Sequence, residues 1–510
     1  MYRRWYGYSS NNKKYKMKRF ITIFALTFLC ISLSIAKGPP KREFRGAWFP
    51  TVVNSTWRNM SVDEIKTDII SYLDLFKKLN INAVIFQVRP QGDAMYISEI
   101  EPWSRFLTGK QGEAPDPMFD PARFITEECH KRGIEMHAWF NPYRVTSNKD
   151  EVLSKDHLFF KRSDLFVTYG GQIYFNPGKP ESREHTVKVI ADFLSRYDID
   201  AIHFDDYFYP YKVPYTNFPD EETFLEYHEK DGFSRFSKDE WRRNNVNLLV
   251  KELSRTIKSI KPWVRFGISP FGVWRNSNVD TSGSHTTALQ TNYDDLYADI
   301  LLWVKEGWID YNAPQLYWEI GHKRADYLTL VNWWASNNHG VNLYIGQNIR
   351  NQINIKNSSG DIVNQLYRKM DLVRENPEIG GNIWWSGLSF PDQKELMDSL
   401  ILNYQQYPAL IPLYKNIDII PPEAVAEVTY KKGYLSWKHK GSEDPLQKPH
   451  FYCVYKFRTD QIINLEDPSC LIAVTGEEKY YVGKHRSVKY VITVLDRLQN
   501  ESPVSVTVER

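Results

Sequence analysis

One recurrence constrains the fold of this chain more than any other feature. From residue 43 to about 412, a short β-rich run, a loop, an amphipathic helix and a tight turn follow one another eight times. The candidate strands are Phe44–Pro50, Asn82–Arg89, Ile134–Asn141, Ala201–Asp206, Arg265–Pro270, Tyr311–Trp318, Asn342–Ile349 and Asn382–Gly387. Several, such as Ala83-Val84-Ile85-Phe86, are continuous apolar runs, the pattern of strands covered on both faces. The helices between them carry start signals. Ser61-x-x-Glu64 and Ser237-x-x-Glu240 have the spacing of capping boxes, and Asp120-Pro121 sets an N-cap before a first-turn proline. Gly133 and Gly307 stand where helices should stop. Eight such units in series predict a (β/α)8 barrel. A doubly wound sheet would have fewer units and, in a nucleotide enzyme, a glycine-rich first turn, which is missing here.

Loop lengths give the barrel a polarity. Helix-to-strand connections are very short, as at Asn80-Ile81, Lys131–Gly133, Asp198–Asp200 and Lys261–Val264. Strand-to-helix connections are long, at about 90–119, 145–180, 207–236 and 271–292. Long loops in a compact domain are usually functional, and in barrels the strand-to-helix loops build the active face. Gly170-Gly171 is the expected turn of a small hairpin inside the second of them.

The flanks read differently. Residues 1–36 contain a positive patch at Lys18 and Arg19, an apolar run from Phe20 to Ile35, and the small-x-small triplet Ser34-Ile35-Ala36. This is the pattern of an extension followed by a secretory signal peptide, and the run is shorter than the ~20 residues that span a bilayer comfortably. A secreted or periplasmic, cell-envelope location is expected, with no membrane span once the segment is removed. Cys30 is a poor lipid-attachment site because Leu29 before it is not small. Residues 1–36 hold seven basic side chains and no acidic one, so the rest of the chain has 58 basic against 62 acidic. That balance argues against a nucleic-acid partner. After Pro421-Pro422, residues 421–510 show short alternating runs at Ala424–Thr429, Tyr434–Trp437, Phe451–Phe457, Ser487–Leu495 and Val504–Val508, which predict a small β-sandwich. This segment resembles a fibronectin type III domain. Cys453 and Cys470 are close enough in sequence to pair in an oxidising compartment. Cys129, in a predicted helix, reads as a buried free thiol.

In a barrel, polar residues at strand C-termini face the substrate. Those ends supply Gln87 and Arg89; His137, Trp139, Asn141, Tyr143 and Arg144; His203, Asp205, Asp206 and Tyr207; Trp274; Gln315, Tyr317, Trp318 and Glu319; Gln347; and Trp384. Amides and arginines bond sugar hydroxyls, and aromatic rings stack on the apolar faces of pyranoses. The aromatic content of 15% suits such a surface as well as it suits a large core. Glycosidic cleavage usually needs two carboxyl groups, one protonated and one ionised. Asp205 and Asp206 supply the first candidate and Glu319 the second, although strand alternation predicts that only one of the aspartates faces inward unless the strand bends. Of Trp384 and Trp385, alternation sends one to the cleft and the other outward. His137, His203 and Asp205 fall on neighbouring strands. Without a His-x-His pair or another clear ligand they read as hydrogen bonders, and no metal or cofactor is expected.

Several motifs are long enough to carry a family resemblance. Arg45-Gly46-Ala47-Trp48, Phe86-Gln87-Val88-Arg89-Pro90, His137-Ala138-Trp139-Phe140-Asn141-Pro142-Tyr143-Arg144, Ile202-His203-Phe204-Asp205-Asp206-Tyr207-Phe208-Tyr209-Pro210 and Gln315-Leu316-Tyr317-Trp318 resemble the bacterial glycosyl-hydrolase-like family 10 proteins. The resemblance covers nearly the whole predicted barrel, 43–412. It implies a secreted or envelope glycoside hydrolase acting on a polysaccharide, with peptidoglycan glycan strands among the substrates of the family. The competing expectation is a carbohydrate-binding envelope protein that kept the scaffold without turnover.

Overall fold

Eight parallel strands close on themselves: β1 (Phe44–Phe49), β2 (Ala83–Arg89), β3 (Glu135–Phe140), β4 (Ala201–Phe204), β5 (Arg265–Ile268), β6 (Tyr311–Asn312), β7 (Asn342–Asn348) and β8 (Ile379–Trp385). Each pairs with its neighbours in sequence, and β8 pairs with β1 to complete the barrel. The computed structural model describes residues 38–509 apart from positions 53, 55 and 358. The expected signal segment at 1–36 lies outside them. Among the described residues, no helix is long and apolar enough to cross a membrane.

One principal helix follows each strand: α1 (Val62–Lys78), α2 (Pro121–Lys131), α3 (Pro180–Arg196), α4 (Lys238–Ile260), α5 (Ile300–Lys305), α6 (Tyr327–Ser336), α7 (Leu366–Glu375) and α8 (Lys394–Asn403). Their starts follow local chemistry. Ser61 and Glu64 form the capping box of α1, and Asp120 accepts from Arg123 N at 3.1 Å ahead of α2. Ser237 does not cap α4, because its hydroxyl donates to Ser234 O at 2.8 Å. On the core side α1 buries Ile65, Ile69, Leu73 and Phe76 at helical spacing.

The sixth strand is much shorter than the expected Tyr311–Trp318. Pro314 interrupts the ladder because it has no N–H to donate. Beyond it Gln315 makes only isolated bridges to Phe271 and Gly346.

The barrel interior is filled, not hollow. Phe44 stacks on Tyr344 at 4.0 Å, and the Tyr311 ring lies across the axis. Gly267 on β5 makes room for it, since a Cβ there would stand 1.9 Å from the Tyr311 ring. A hydrogen-bonded column runs up this interior. Glu135 Oε2 meets His137 Nε2 at 2.9 Å, and His137 Nδ1 meets Tyr311 Oη at 3.0 Å. Tyr311 Oη meets His203 Nδ1 at 2.7 Å, and Trp48 Nε1 donates to His203 Nε2 at 3.2 Å.

The N-terminal end of the barrel is sealed by paired charge. Glu43 meets Arg45 and Arg374, each at 2.7 Å. Glu135 pairs with Arg265 as well as His137. Burial would raise both carboxyls, but the arginines outweigh it and hold them below their ordinary range.

Seven short antiparallel strands follow the barrel, in two sheets. One sheet joins Glu427–Lys431, Tyr434–Lys438 and Lys479–Tyr481. The other joins Leu471–Thr475, Phe451–Arg458, Val488–Leu495 and Val508–Glu509. Trp437 and Leu435 of the first pack with Val454 and Ile492 of the second. Two of these strands, at Leu471–Thr475 and Lys479–Tyr481, were not expected from the sequence. The region sits against the sealed end. Gln499 Nε2 donates to Glu135 Oε1 at 2.6 Å, and Lys77 Nζ donates to Val474 O at 2.8 Å. Gly133 has φ +67°, and a Cβ there would come within 2.4 Å of Val474 O, so the two backbones touch. Cys453 and Cys470 are separate free thiols. Cys453 lies opposite Val474 in the ladder, away from Cys470 beyond Leu471. Cys129 is buried and free.

Candidate active site

At the opposite end, where the strands finish, lies a cavity of about 410 Å³. Its floor is the last inward-facing layer of the barrel: Trp48, Trp139, Asp205, Ser269 and Trp385. Loop residues form the walls: Val52, Arg144, Asp206, Tyr207, Tyr211 and Phe271, with Gln315, Tyr317 and Trp318 from the irregular segment after β6. The lining is strongly aromatic and holds two carboxyl groups, Asp205 and Asp206.

Both aspartates face the cavity although they are adjacent in the chain. β4 ends at Phe204, so strand alternation no longer governs them. Their environments differ. Asp205 accepts from Trp139 Nε1 at 3.0 Å, from Asn141 Nδ2 at 3.2 and 3.3 Å, and from Tyr207 N at 3.3 Å. Burial raises its pKa, while Arg144 and these donors oppose the rise. Asp206 accepts from the Tyr211 hydroxyl and, at 3.1 Å, from Gln315 Nε2. Burial pushes its pKa up to about 6, and the neighbouring Asp205 charge adds to the push. The pair therefore holds one proton more readily than two charges, and of the two Asp206 is raised the more.

Of the other residues expected at the site, Trp139, Arg144, Tyr207, Gln315, Tyr317 and Trp318 line the cavity. Asn141 reaches it through Asp205. The rest are placed elsewhere. Glu319 is absent from the lining: it lies next to Lys369, whose pKa burial lowers to about 8 against the opposing pull of the Glu319 charge. Arg89 is fully buried and clamps Glu101 at 2.6 and 2.7 Å, with a further bond to Pro142 O at 3.2 Å. It braces two active-face loops from behind. Gln87 accepts from Thr51 N and Val52 N, both at 3.0 Å, and Tyr143 is buried in the core. His137 and His203 belong to the axial column below the cavity floor. Gln347 and Trp384 point outward from their strands. Gln347 bonds Tyr327 Oη at 2.6 Å, and Trp384 packs near Phe390. Trp274 stacks on Trp333 at 5.7 Å in the helical layer.

Sequence reasoning missed Trp48, Val52, Tyr211, Ser269 and Phe271 as cavity residues, and of the pair Trp384 and Trp385 it named the wrong member for the cleft, which Trp385 lines. Counting inward positions from the strands would have found three of them, since Trp48, Ser269 and Trp385 continue the alternation of Phe44, Gly267 and Ile383. Tyr211 lies in a loop and carries no periodic signal.

A filled (β/α)8 barrel with a buried carboxyl pair in an aromatic cleft at its strand C-termini has the architecture of a glycosidase-type barrel. Residues 43–361 match the model of the family described as Glycosyl hydrolase-like 10, and the chain belongs to that family. It is 39% identical to the glycosyl hydrolase YngK of Bacillus subtilis over 507 residues, covering 96% of this chain and 97% of that protein. It is 36% identical to the glycosyl hydrolase DigH of Escherichia coli over 418 residues, covering 73% of this chain and 93% of that protein.

Proposed function

We propose that this protein is a secreted glycoside hydrolase that cleaves O-glycosidic bonds in a polysaccharide of N-acetylated sugars, with peptidoglycan glycan strands the first substrate to test. The observation that carries the reading is the Asp205–Asp206 pair. These are the only carboxyl groups among the described cavity-lining residues, and they sit side by side, not on facing walls. Asp206, with a pKa of about 6, donates its proton to the leaving oxygen. Asp205, held by Trp139 and Asn141, stays ionised beside it. In a substrate-assisted reaction the neighbouring 2-acetamido group of the sugar attacks the anomeric carbon, so one protein acid and one orienting carboxylate suffice. Asp205 fills the orienting role. Trp48, Trp139 and Trp385 present ring faces and edges to the sugar, and Gln315 offers an amide to its hydroxyls.

The test is hydrolysis of denuded peptidoglycan and of a neutral N-acetylated polymer, each beside its de-N-acetylated form. Cleavage restricted to the N-acetylated polymers is expected, together with its loss in Asp206→Asn. Equal cleavage of the de-N-acetylated forms would remove substrate assistance. Retention of polymer without any product from the unmutated protein would leave a carbohydrate-binding protein.

A further inference from the structure

We propose that His130, Asp200 and His450 form a divalent transition-metal site, suited to zinc, that clamps the C-terminal sheets to the sealed end of the barrel. The three residues come from three separate parts of the chain. His130 lies in the last turn of α2, Asp200 lies immediately before β4, and His450 lies immediately before the Phe451–Arg458 strand. Their donor atoms all lie within 4.8 Å of one another. His130 Nε2 is 2.8 Å from Asp200 Oδ2, and His450 Nε2 is 2.9 Å from Asp200 Oδ1. Zinc holds nitrogen and carboxylate ligands at about 2.0–2.2 Å in a tetrahedral arrangement, which sets the donors about 3.3 Å apart. Side-chain movements of about 1 Å bring these three to that spacing.

A second observation points the same way. The His450 side chain is 4% exposed, and its Nε2 meets Asp200 Oδ1 at 2.9 Å in a contact that is poorly aligned for a hydrogen bond. A buried imidazole nitrogen facing a carboxylate off-axis is better satisfied by an ion placed between the two. His450 is also locked in place, with its ring 3.9 Å from Phe451 and 4.7 Å, edge to face, from His130.

The donor set selects the class of ion. Two imidazoles and one carboxylate suit zinc and its first-row neighbours, whereas calcium and magnesium take oxygen ligands. Solvent reaches the site past His130, which is 18% exposed, so water completes the coordination. Asp200 has other partners that orient it: Met136 N donates to Oδ2 at 2.8 Å, and Arg497 Nη1 lies 3.4 Å from Oδ1. The Arg497 charge is taken up mainly by Asp198, whose two oxygens each stand 2.6 Å from Nη2. The site lies at the far end of the barrel from the cleft and needs no catalytic role.

The test uses the full chain, stripped with chelator and desalted. Titration with Zn²⁺, and with Co²⁺ as a coloured probe, should show one equivalent bound and the visible absorption of a four- or five-coordinate ion. Tm should rise by a few °C in the loaded protein. His450→Ala and His130→Ala should each weaken binding at least 10-fold and abolish the Tm rise, while His485→Ala, at an exposed position, should change neither. Less than one tenth of an equivalent bound by the unmutated protein would overturn the site. So would binding that persists unchanged in the His130→Ala/His450→Ala double variant, which would mark adventitious surface coordination.

Discussion

The two ends of the barrel bury acidic side chains for opposite purposes. At the sealed end Glu43 and Glu135 each meet an arginine, and their pKa values fall. At the open end Asp205 and Asp206 have hydrogen-bond donors but, among the described residues, no ion pair, and both pKa values rise. The sealed end spends its carboxyls on holding elements together. The open end leaves its pair poised to exchange a proton. Burial is nearly the same at both ends, so the neighbouring cations make the difference.

The largest effect that would break this contrast is expected at Asp206. Asp206→Asn should lower kcat by about 10²–10⁴-fold while leaving Tm unchanged or higher, as checked by turnover and a thermal melt. If activity survives, the open-end pair is structural and the contrast fails. The reverse result is expected at the sealed end. Arg265→Met strands the fully buried Glu135 and should cost about 3–5 kcal/mol in a denaturant melt. In protein that remains folded, kcat should change little.

The pH dependence sharpens the comparison with a smaller effect of opposite sign at each end. The folded pKa of Asp206 is about 6, above the ordinary 3.8. The folded state therefore binds the proton more tightly than the unfolded state, and this contribution to stability is lost as pH rises from about 4 to about 6. In full it amounts to roughly 3 kcal/mol. Activity should fall over the upper part of that range as the general acid ionises. Glu43 has a depressed folded pKa, so its contribution is present above the ordinary 4.5 and is lost as pH falls through the folded value. Urea midpoints measured from pH 4 to 7 should thus improve for Asp206→Asn at the upper end of the range only. The smallest effect is expected at Trp385, where truncation to Ala should raise KM by up to about 10-fold with little change in Tm. The same truncation at Trp384, one residue away and facing the helices, should lower Tm and leave KM alone.

The barrel was legible in the sequence because its signal is repeated eight times and is local: apolar runs, helix caps and short return turns. The face carrying the site was legible from the loop lengths alone. Depth was harder to read. His137 and Trp139 both project inward from β3, but only the second reaches the cavity, and nothing in the motif marks the layer at which side chains give way to ligand space. Glu319 looked like a strand-end carboxylate only because the strand was drawn through Pro314. Arg89 and Gln87 were read as sugar ligands because of their chemistry. Their partners, Glu101 and Thr51, are distant in sequence and had no pattern to announce them.

The axial column has a consequence for tautomers. The indole N–H of Trp48 makes His203 Nε2 an acceptor, so the His203 proton sits on Nδ1 and is donated to Tyr311. Tyr311 has one proton of its own, which then goes to His137 Nδ1. The remaining His137 proton is left at Nε2, facing Glu135. Trp48 at the cleft floor can only donate and the ionised Glu135 at the far end can only accept, so both ends demand the same direction and every hydrogen bond between them points one way. With Trp48→Phe the ionised Glu135 still dictates that direction from the far end, so the column keeps it.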